Sequence, residues 1–301
     1  MNYNSLGTSS LRISEIGFGC MSLTGDAAES TRILHEALAG GINFFDTADL
    51  YQKGANEELV GRAFQGRRDQ VVLASKVGNQ WRADGSGWDW NPRKDYILSS
   101  IEGSLKRLQT DYIDLYQLHG GTLEDPIDEA IEAFELLKQQ GKIRYYGISS
   151  IRPSVIQEWI KRSGIVSVMT QYSLLDRRPE EQTLALLQQH NIGVLARGAV
   201  AQGLLINKPP KPYLNYSEAE VQQAAAAVQA VSGEQRNATQ TALRFVVQHP
   251  AVTSAVAGIR TLEQLEEALR TPATPPLSDK EMDSLRASIT ANAYEQHRIA
   301  D

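Results

Sequence analysis

Asp46, Tyr51, Lys76 and His119 are the residues of this chain whose types together could do chemistry. Asp46 and Tyr51 share one short segment, DTADLY, while Lys76 and His119 each follow an apolar run. The set suits reduction of a carbonyl group, which needs a hydride on carbon and a proton on oxygen. A tyrosine hydroxyl can give the proton, although its ordinary pKa of about 10 makes it a weak acid. A nearby lysine ammonium favours the phenolate. A carboxylate keeps that ammonium charged and aimed, and a histidine can hold the carbonyl oxygen. Singly, each has a plainer reading: a turn cap for Asp46, a half-buried loop aromatic for Tyr51, a snorkelling strand-end side chain for Lys76, a satisfied buried imidazole for His119. Their shared placement along the chain is what joins them.

That placement follows from the elements around them. Eight short apolar runs read as strands buried on both faces: SEIGFG from 14, INFFD from 42, VVLAS from 71, YIDLYQL from 112, IRYYGIS from 143, IVSVMTQ from 165, IGVLAR from 192 and VTSAVAG from 252. Helical patterns separate them. TRILHEALAGG stops at Gly40 and Gly41, DYILSSIEGSLKRL repeats its apolar residues at helical spacing, and Pro126 opens IDEAIEAFELLKQQ. Leu184, Leu186 and Leu187 belong to the next helix, and Thr261 is the expected N-cap of TLEQLEEALR. Eight strand-helix units with short links predict an α/β fold, a closed (β/α)8 TIM barrel, as one domain over residues 1–301. Sites in such barrels lie where the strands end. The polar residues at the predicted strand ends are Asp46, Lys76, His119, Ser149, Gln171 and Arg197, with Gly258 and Arg260 after the last.

Three segments stand outside the repeat. Residues 1–13 predict a hairpin plugging one barrel end. Residues 78–93 read as a long substrate loop holding Trp81, Trp88 and Trp90, three of the four tryptophans. Residues 277–301 predict a C-terminal helix and a loose tail. The chain has 301 residues, 42% hydrophobic and 22% charged, with a formal charge of −6 that argues against general attraction to nucleic acid. No run reaches the ~18 apolar residues of a membrane span. The first residues lack the plan of a secretion signal, and Cys20 is alone, so a reducing, cytoplasmic setting is expected. Cys20 reads as a small buried thiol. The histidines form no His-x-x-x-His pair, and no metal site is expected. Gly17-x-Gly19-x-x-Ser22 lacks the third glycine and the immediate helix of a dinucleotide fingerprint.

DTADLY (46–51), LASK ending at 76, SLKRLQTDYIDLYQLH ending at 119, GKIRYYGISS (141–150) and GIRTLEQLEEA (258–268) together resemble the ordered motifs of the aldo-keto reductases. The resemblance runs through almost the whole chain. It implies Tyr51 as general acid, Lys76 as its activating partner, Asp46 as the lysine's partner, and His119 as the orienting group. It implies NADP(H), with NAD(H) less favoured, lying across the barrel mouth. Ser149 and Gln171 would hold the nicotinamide carboxamide, and Asp46 would touch the ribose. Gly19 and Met21 would lie beside the cofactor, Gly203 and Leu204 near the pyrophosphate. Gly258, Arg260 and Gln264 would cradle the 2′-phosphate, with Glu267 near the adenine; a guanidinium suits a phosphate. Trp81 and Trp88, with Tyr51 and His119, would line the substrate pocket.

The sequence departs from the family pattern at four places. Arg197 stands where a stacking tyrosine is common, Ser150 where asparagine is, and Ala268 where an adenine-binding asparagine is. Gly120-Gly121 replaces an acidic and apolar stretch, which predicts a wider substrate mouth. The expected activity is NADPH-dependent, reversible reduction of small aldehydes or ketones. The alternatives are a Schiff-base lyase using Lys76 and a nucleotide-sensing regulatory subunit.

Overall fold

Tyr3–Ser5 (β1) and Arg12–Ser14 (β2) pair antiparallel, and Gly7 takes φ +55° in the turn between them. They lead into a closed barrel in the computed structural model, which describes residues 1–23 and 25–299. Its first strands are Ile16–Gly19 (β3), Phe44–Asp46 (β4) and Val72–Val77 (β5). Asn79–Trp81 (β6) and Trp88–Trp90 (β7) form a separate antiparallel pair. The barrel continues with Ile113–Leu118 (β8), Ile143–Ser149 (β9), Ser167–Gln171 (β10), Gly193–Arg197 (β11) and Val252–Gly258 (β12). All its pairings are parallel, and β12 closes the ring onto β3. Each of the eight predicted strands is one of these.

The helices are Ala27–Ala39 (α1), Ala55–Ala63 (α2), Lys94–Leu108 (α3), Ile127–Gln139 (α4), Pro153–Arg162 (α5), Thr183–Gln189 (α6), Glu218–Ala230 (α7), Ala238–Val247 (α8), Leu262–Arg270 (α9) and Asp279–Ser288 (α10). Their apolar stripes, such as Ile97, Ile101 and Leu108 of α3, are buried in the large cluster outside the barrel wall. Thr261 caps α9 as expected, its hydroxyl accepting from the Gln264 N–H.

A second, smaller cluster fills the barrel: Phe44, Ala74, Leu115, Met169, Leu195 and Val256 meet Leu6, Leu11 and Ile13 of the N-terminal segment. A β-carbon at Gly7 would meet the Val166 and Asn191 carbonyls, so the hairpin plugs the end where strands begin. Side chains along a strand return to the same face every second residue. Two residues beyond each inner residue, at the exit rim, stand Asp46, Lys76, Gln117, Gln171, Arg197 and Gly258. The alternation that packs the core therefore also delivers the polar groups to the mouth.

Two expectations are corrected. Residues 78–93, expected as a long loop, contain a hairpin: β6 and β7 fold back with Arg82 and Asp89 paired at 2.6 Å. The tail beyond α10 is tied down, with Asn292 accepting from the Arg177 N–H at 2.9 Å and Tyr294 buried. Helix α2 carries no plain amphipathic run, because it buries Asn56 and Glu57 beside Val60, while α5 and α8 stand outside the expected series although α5 buries Val155, Ile156 and Trp159 on one face.

Candidate active site

Lys76 projects from β5 into the barrel mouth and is fully buried. Its ammonium donates to Asp46 Oδ2 at 2.6 Å, to the Thr47 carbonyl at 2.7 Å and to the Tyr51 hydroxyl at 3.2 Å. All three of its protons are thus committed. Asp46 Oδ1 accepts from Gln117 Nε2 at 3.2 Å. Burial pulls the ammonium down and pushes the Asp46 carboxyl up, but Asp46 and Tyr51 together bring Lys76 above its ordinary value. The proton of this pair belongs to the lysine.

Tyr51 reaches Lys76 because the chain turns sharply after it. Gln52 and Lys53 take left-handed φ values of 51° and 56°, and Gly54 follows at 91°. A β-carbon at Gly54 would lie 2.7 Å from the Arg107 side chain, which closes the turn from α3. Just beyond it, Asn56 accepts from Thr47 Oγ1 at 2.6 Å and donates to the Cys20 carbonyl at 2.9 Å. Glu57 accepts from Ser75 Oγ at 2.5 Å and from Arg107 Nε at 2.7 Å. These two buried residues bolt the turn to the strands that carry Asp46 and Lys76.

His119 follows β8, its ring edge-on to Tyr51 at 5.8 Å and 81°. Burial, then the charges of Lys76 and Arg197, push its pKa down to about 3, so the imidazole is neutral near pH 7. Its Nδ1 is buried without a partner, as is Trp81 Nε1. Buried polar atoms left open at a rim are what an incoming polar ligand satisfies. The Cys20 thiol, fully buried below, is pushed far up by that burial and stays protonated.

The remaining expected residues lie on the barrel rim, in the turns after β3 and β11, and along α9. Gly19, Ser149, Gln171, Arg197 and Gly258 end consecutive barrel strands on the same rim. Met21 lies in the turn after β3, 60% exposed. Gly203 and Leu204 lie in a tight turn where Ala201 and Gln202 also adopt positive φ. The Arg260 side chain is exposed beside the α9 N-terminus, a place that favours anions. Gln264 Oε1 accepts the Arg260 N–H at 2.9 Å, and Glu267 accepts from Asn237 at 2.8 Å, so both also serve locally. Open donors at the rim, left-handed backbone near Gly203 and a basic helix start fit a dinucleotide phosphate ester.

The tryptophans divide. Trp81 lies under the Lys53 ammonium at 5.0 Å, Trp88 is 47% exposed, and Trp90 Nε1 donates to Asp125 at 3.0 Å. The Trp90 ring sits 2.6 Å from a β-carbon placed on Gly78 and 3.3 Å from one on Gly120. The glycine at 120 therefore leaves room for this indole. Sequence reading missed Gln117, Asn56 and Glu57. The two-residue step from Leu115 would have found Gln117.

The profile of the Aldo/keto reductase family matches residues 15–290. The chain is 50% identical, over 99% of its length and 100% of the relative, to the "Uncharacterized oxidoreductase YqkF" of Bacillus subtilis. It is 34% identical, over 65% of its length and 61% of the relative, to the "Aldo-keto reductase yakc [NADP(+)]" of Schizosaccharomyces pombe. Among solved structures, the holo form of aldo-keto reductase AKR11C1 from Bacillus halodurans matches at a TM-score of 0.93, with 49% identity over 99% of this chain and 100% of that one. A parallel barrel carrying this rim, with the family profile matching residues 15–290, belongs to the aldo/keto reductase family of oxidoreductases.

Proposed function

We propose that this protein reduces aldehydes or ketones to alcohols with NADPH, reversibly, and that Tyr51 is the general acid. The observation that carries the reading is the chain Asp46–Lys76–Tyr51, at 2.6 Å and 3.2 Å, ending beside a neutral His119. A reduced nicotinamide, when bound, supplies the hydride. Tyr51 gives its proton to the carbonyl oxygen, and the Lys76 ammonium stabilises the phenolate that remains. Asp46 and the Thr47 carbonyl hold that ammonium in place. His119 offers a ring nitrogen to the same oxygen and so fixes the carbonyl's direction. Ser149 and Gln171 hold the carboxamide, and Gly203 and Leu204 approach the pyrophosphate. Arg260 and the start of α9 receive a 2′-phosphate, which favours NADPH over NADH. The NADP(+) in the fission yeast relative's name supports the same choice.

Lys76 speaks against the lyase alternative: a Schiff base needs a neutral amine, and Asp46 holds this one charged. The test is consumption of NADPH, then of NADH, against a panel of aldehydes and ketones. Tyr51→Phe should lower kcat by on the order of 10³ while NADPH binding persists. A variant that turns over normally removes the acid role from Tyr51.

A further inference from the structure

Gln171 and Arg197 end neighbouring strands and stand opposite each other in the β10–β11 register. Arg197 Nη1 donates to Gln171 Oε1 at 2.9 Å. On its other side, Gln171 Nε2 donates to the Tyr213 hydroxyl at 2.8 Å. Tyr213 comes from the long segment after β11 and is held there by reciprocal backbone bonds with Tyr216 at 3.1 Å and 3.0 Å. Tyr216 in turn donates its hydroxyl to the Thr290 carbonyl at 2.8 Å, which ties the segment to the C-terminal tail. Gly198, at φ +79°, leaves room for the glutamine: a β-carbon there would be 3.3 Å from Gln171 Cγ.

An isolated glutamine amide can turn over, exchanging its oxygen and nitrogen at almost no cost in shape. A guanidinium has donors only, so the atom facing Arg197 must be the oxygen. Nε2 is then left for Tyr213. One lone pair and one N–H remain unclaimed on the amide. A primary carboxamide offers the complementary pair, one N–H and one carbonyl.

We infer that Arg197 is a positioning residue that locks the Gln171 amide in one orientation, with Tyr213 taking the N–H turned towards it, so that the site selects a carboxamide over groups that only accept hydrogen bonds. This rests on the proposed reading of Gln171 as a nicotinamide contact. It also gives Arg197 a role at a position where stacking is the expected one: it orients the neighbouring amide instead.

The test is direct binding by titration calorimetry of two probes, NADP⁺ and its 3-acetylpyridine analogue, in which a methyl ketone replaces the carboxamide. The wild-type protein should prefer NADP⁺ by on the order of tenfold, about the worth of one hydrogen bond. Arg197→Lys, still a donor only, should keep the preference. Arg197→Gln, which can donate or accept, should bring it within about twofold, whereas Tyr213→Phe leaves the donor-only guanidinium on the amide oxygen and should keep it. A loss of packing alone would weaken both probes together and leave their ratio unchanged. A wild-type ratio near one, or a full ratio kept in Arg197→Gln, overturns the lock. If Gln171→Ala abolishes the preference while Arg197→Gln keeps it, the lock fails and the nicotinamide reading of Gln171 stands. If Gln171→Ala changes neither affinity, that reading itself fails.

Discussion

Asp114, at the end of the barrel where strands begin, accepts from Arg68 at 2.7 Å and from the Leu73 N–H at 2.9 Å on one oxygen, and pairs with Arg144 at 3.2 Å on the other. The two guanidiniums flank the Tyr112 ring at 4.1 Å and 4.2 Å. At the opposite end, Asp46 pairs with Lys76 at 2.6 Å, but the next partner is the Tyr51 hydroxyl, beside unpartnered nitrogens of His119 and Trp81. Both ends bury a carboxylate against a cation. At the entry end the carboxylate and its cations close on backbone, hydroxyl and ring partners. At the exit end the chain of charge stops on a group that can lose a proton. A buried ion pair by itself is weak evidence for stability or for catalysis. What separates the two roles is whether the last member of the network has somewhere to send a proton.

Removing one member from each end should give the largest and most opposite effects. Lys76→Met should lower kcat by on the order of 10², or more, because the phenolate loses its neighbouring charge. Asp114→Asn should leave kcat unchanged and cost about 3 kcal/mol in urea unfolding, because two guanidiniums lose their shared carboxylate. Steady-state kinetics and unfolding curves on both variants check this. If Asp114→Asn lost activity as Lys76→Met does, the contrast between the ends would not hold.

The exit end was more legible in the sequence than the networks that support it. Asp46, Lys76 and Gln171 close apolar runs, and buried parallel strands leave a plain signal. Gln117 was passed over because His119, two residues later, looked like the strand's end. Glu57 and Arg107 are 50 residues apart, and only the packed fold shows that they meet. The slot for Trp90 likewise needs Gly78 and Gly120 together. The β6–β7 hairpin has a local sign, the ADGSG turn between tryptophans, which marks a hairpin inside the long loop.

A second contrast concerns protons held near the catalytic turn. Asp49 is buried with Oδ1 unpartnered, and burial together with Glu57 pushes its pKa up to about 8. A carboxyl raised in the folded state gives stability that is full below its ordinary value, about 4, and lost as pH rises through about 8. Asp49→Asn carries no such dependence. The variant should therefore gain stability over the parent as pH rises from 5 to 8, by on the order of a few kcal/mol, and the gain should level off above that. Tm measured across this range checks it. A constant difference between the two proteins would show that Asp49 ionises normally.

The smallest effects are expected in the backbone. At the entry side, Gln109 and Asn191 are single left-handed residues where helices end, with φ 53° each, the ordinary use of that conformation. At the exit rim, left-handed residues come in runs, Gln52 to Gly54 and Ala201 to Gly203. Such runs cost of order 1 kcal/mol per residue and persist only where the surroundings impose them. Asn191→Gly should stabilise by up to about 1 kcal/mol, since glycine accepts the geometry without strain, and Lys53→Gly by less, since it also gives up the Lys53 contact with Trp81. Their effects on activity should differ. Asn191→Gly touches nothing at the mouth and should leave kcat alone. Lys53→Gly removes the ammonium that lies over Trp81 at 5.0 Å and so loosens the turn that aims Tyr51. A contact of that kind is worth about 0.5–1 kcal/mol, which would appear as a two- to fivefold fall in kcat, by rough conversion. If both glycine variants left kcat unchanged, the run at 52–54 would be only a way to change direction. A fall confined to Lys53→Gly would show that the Lys53 contact with Trp81 serves to hold the tyrosine over the lysine.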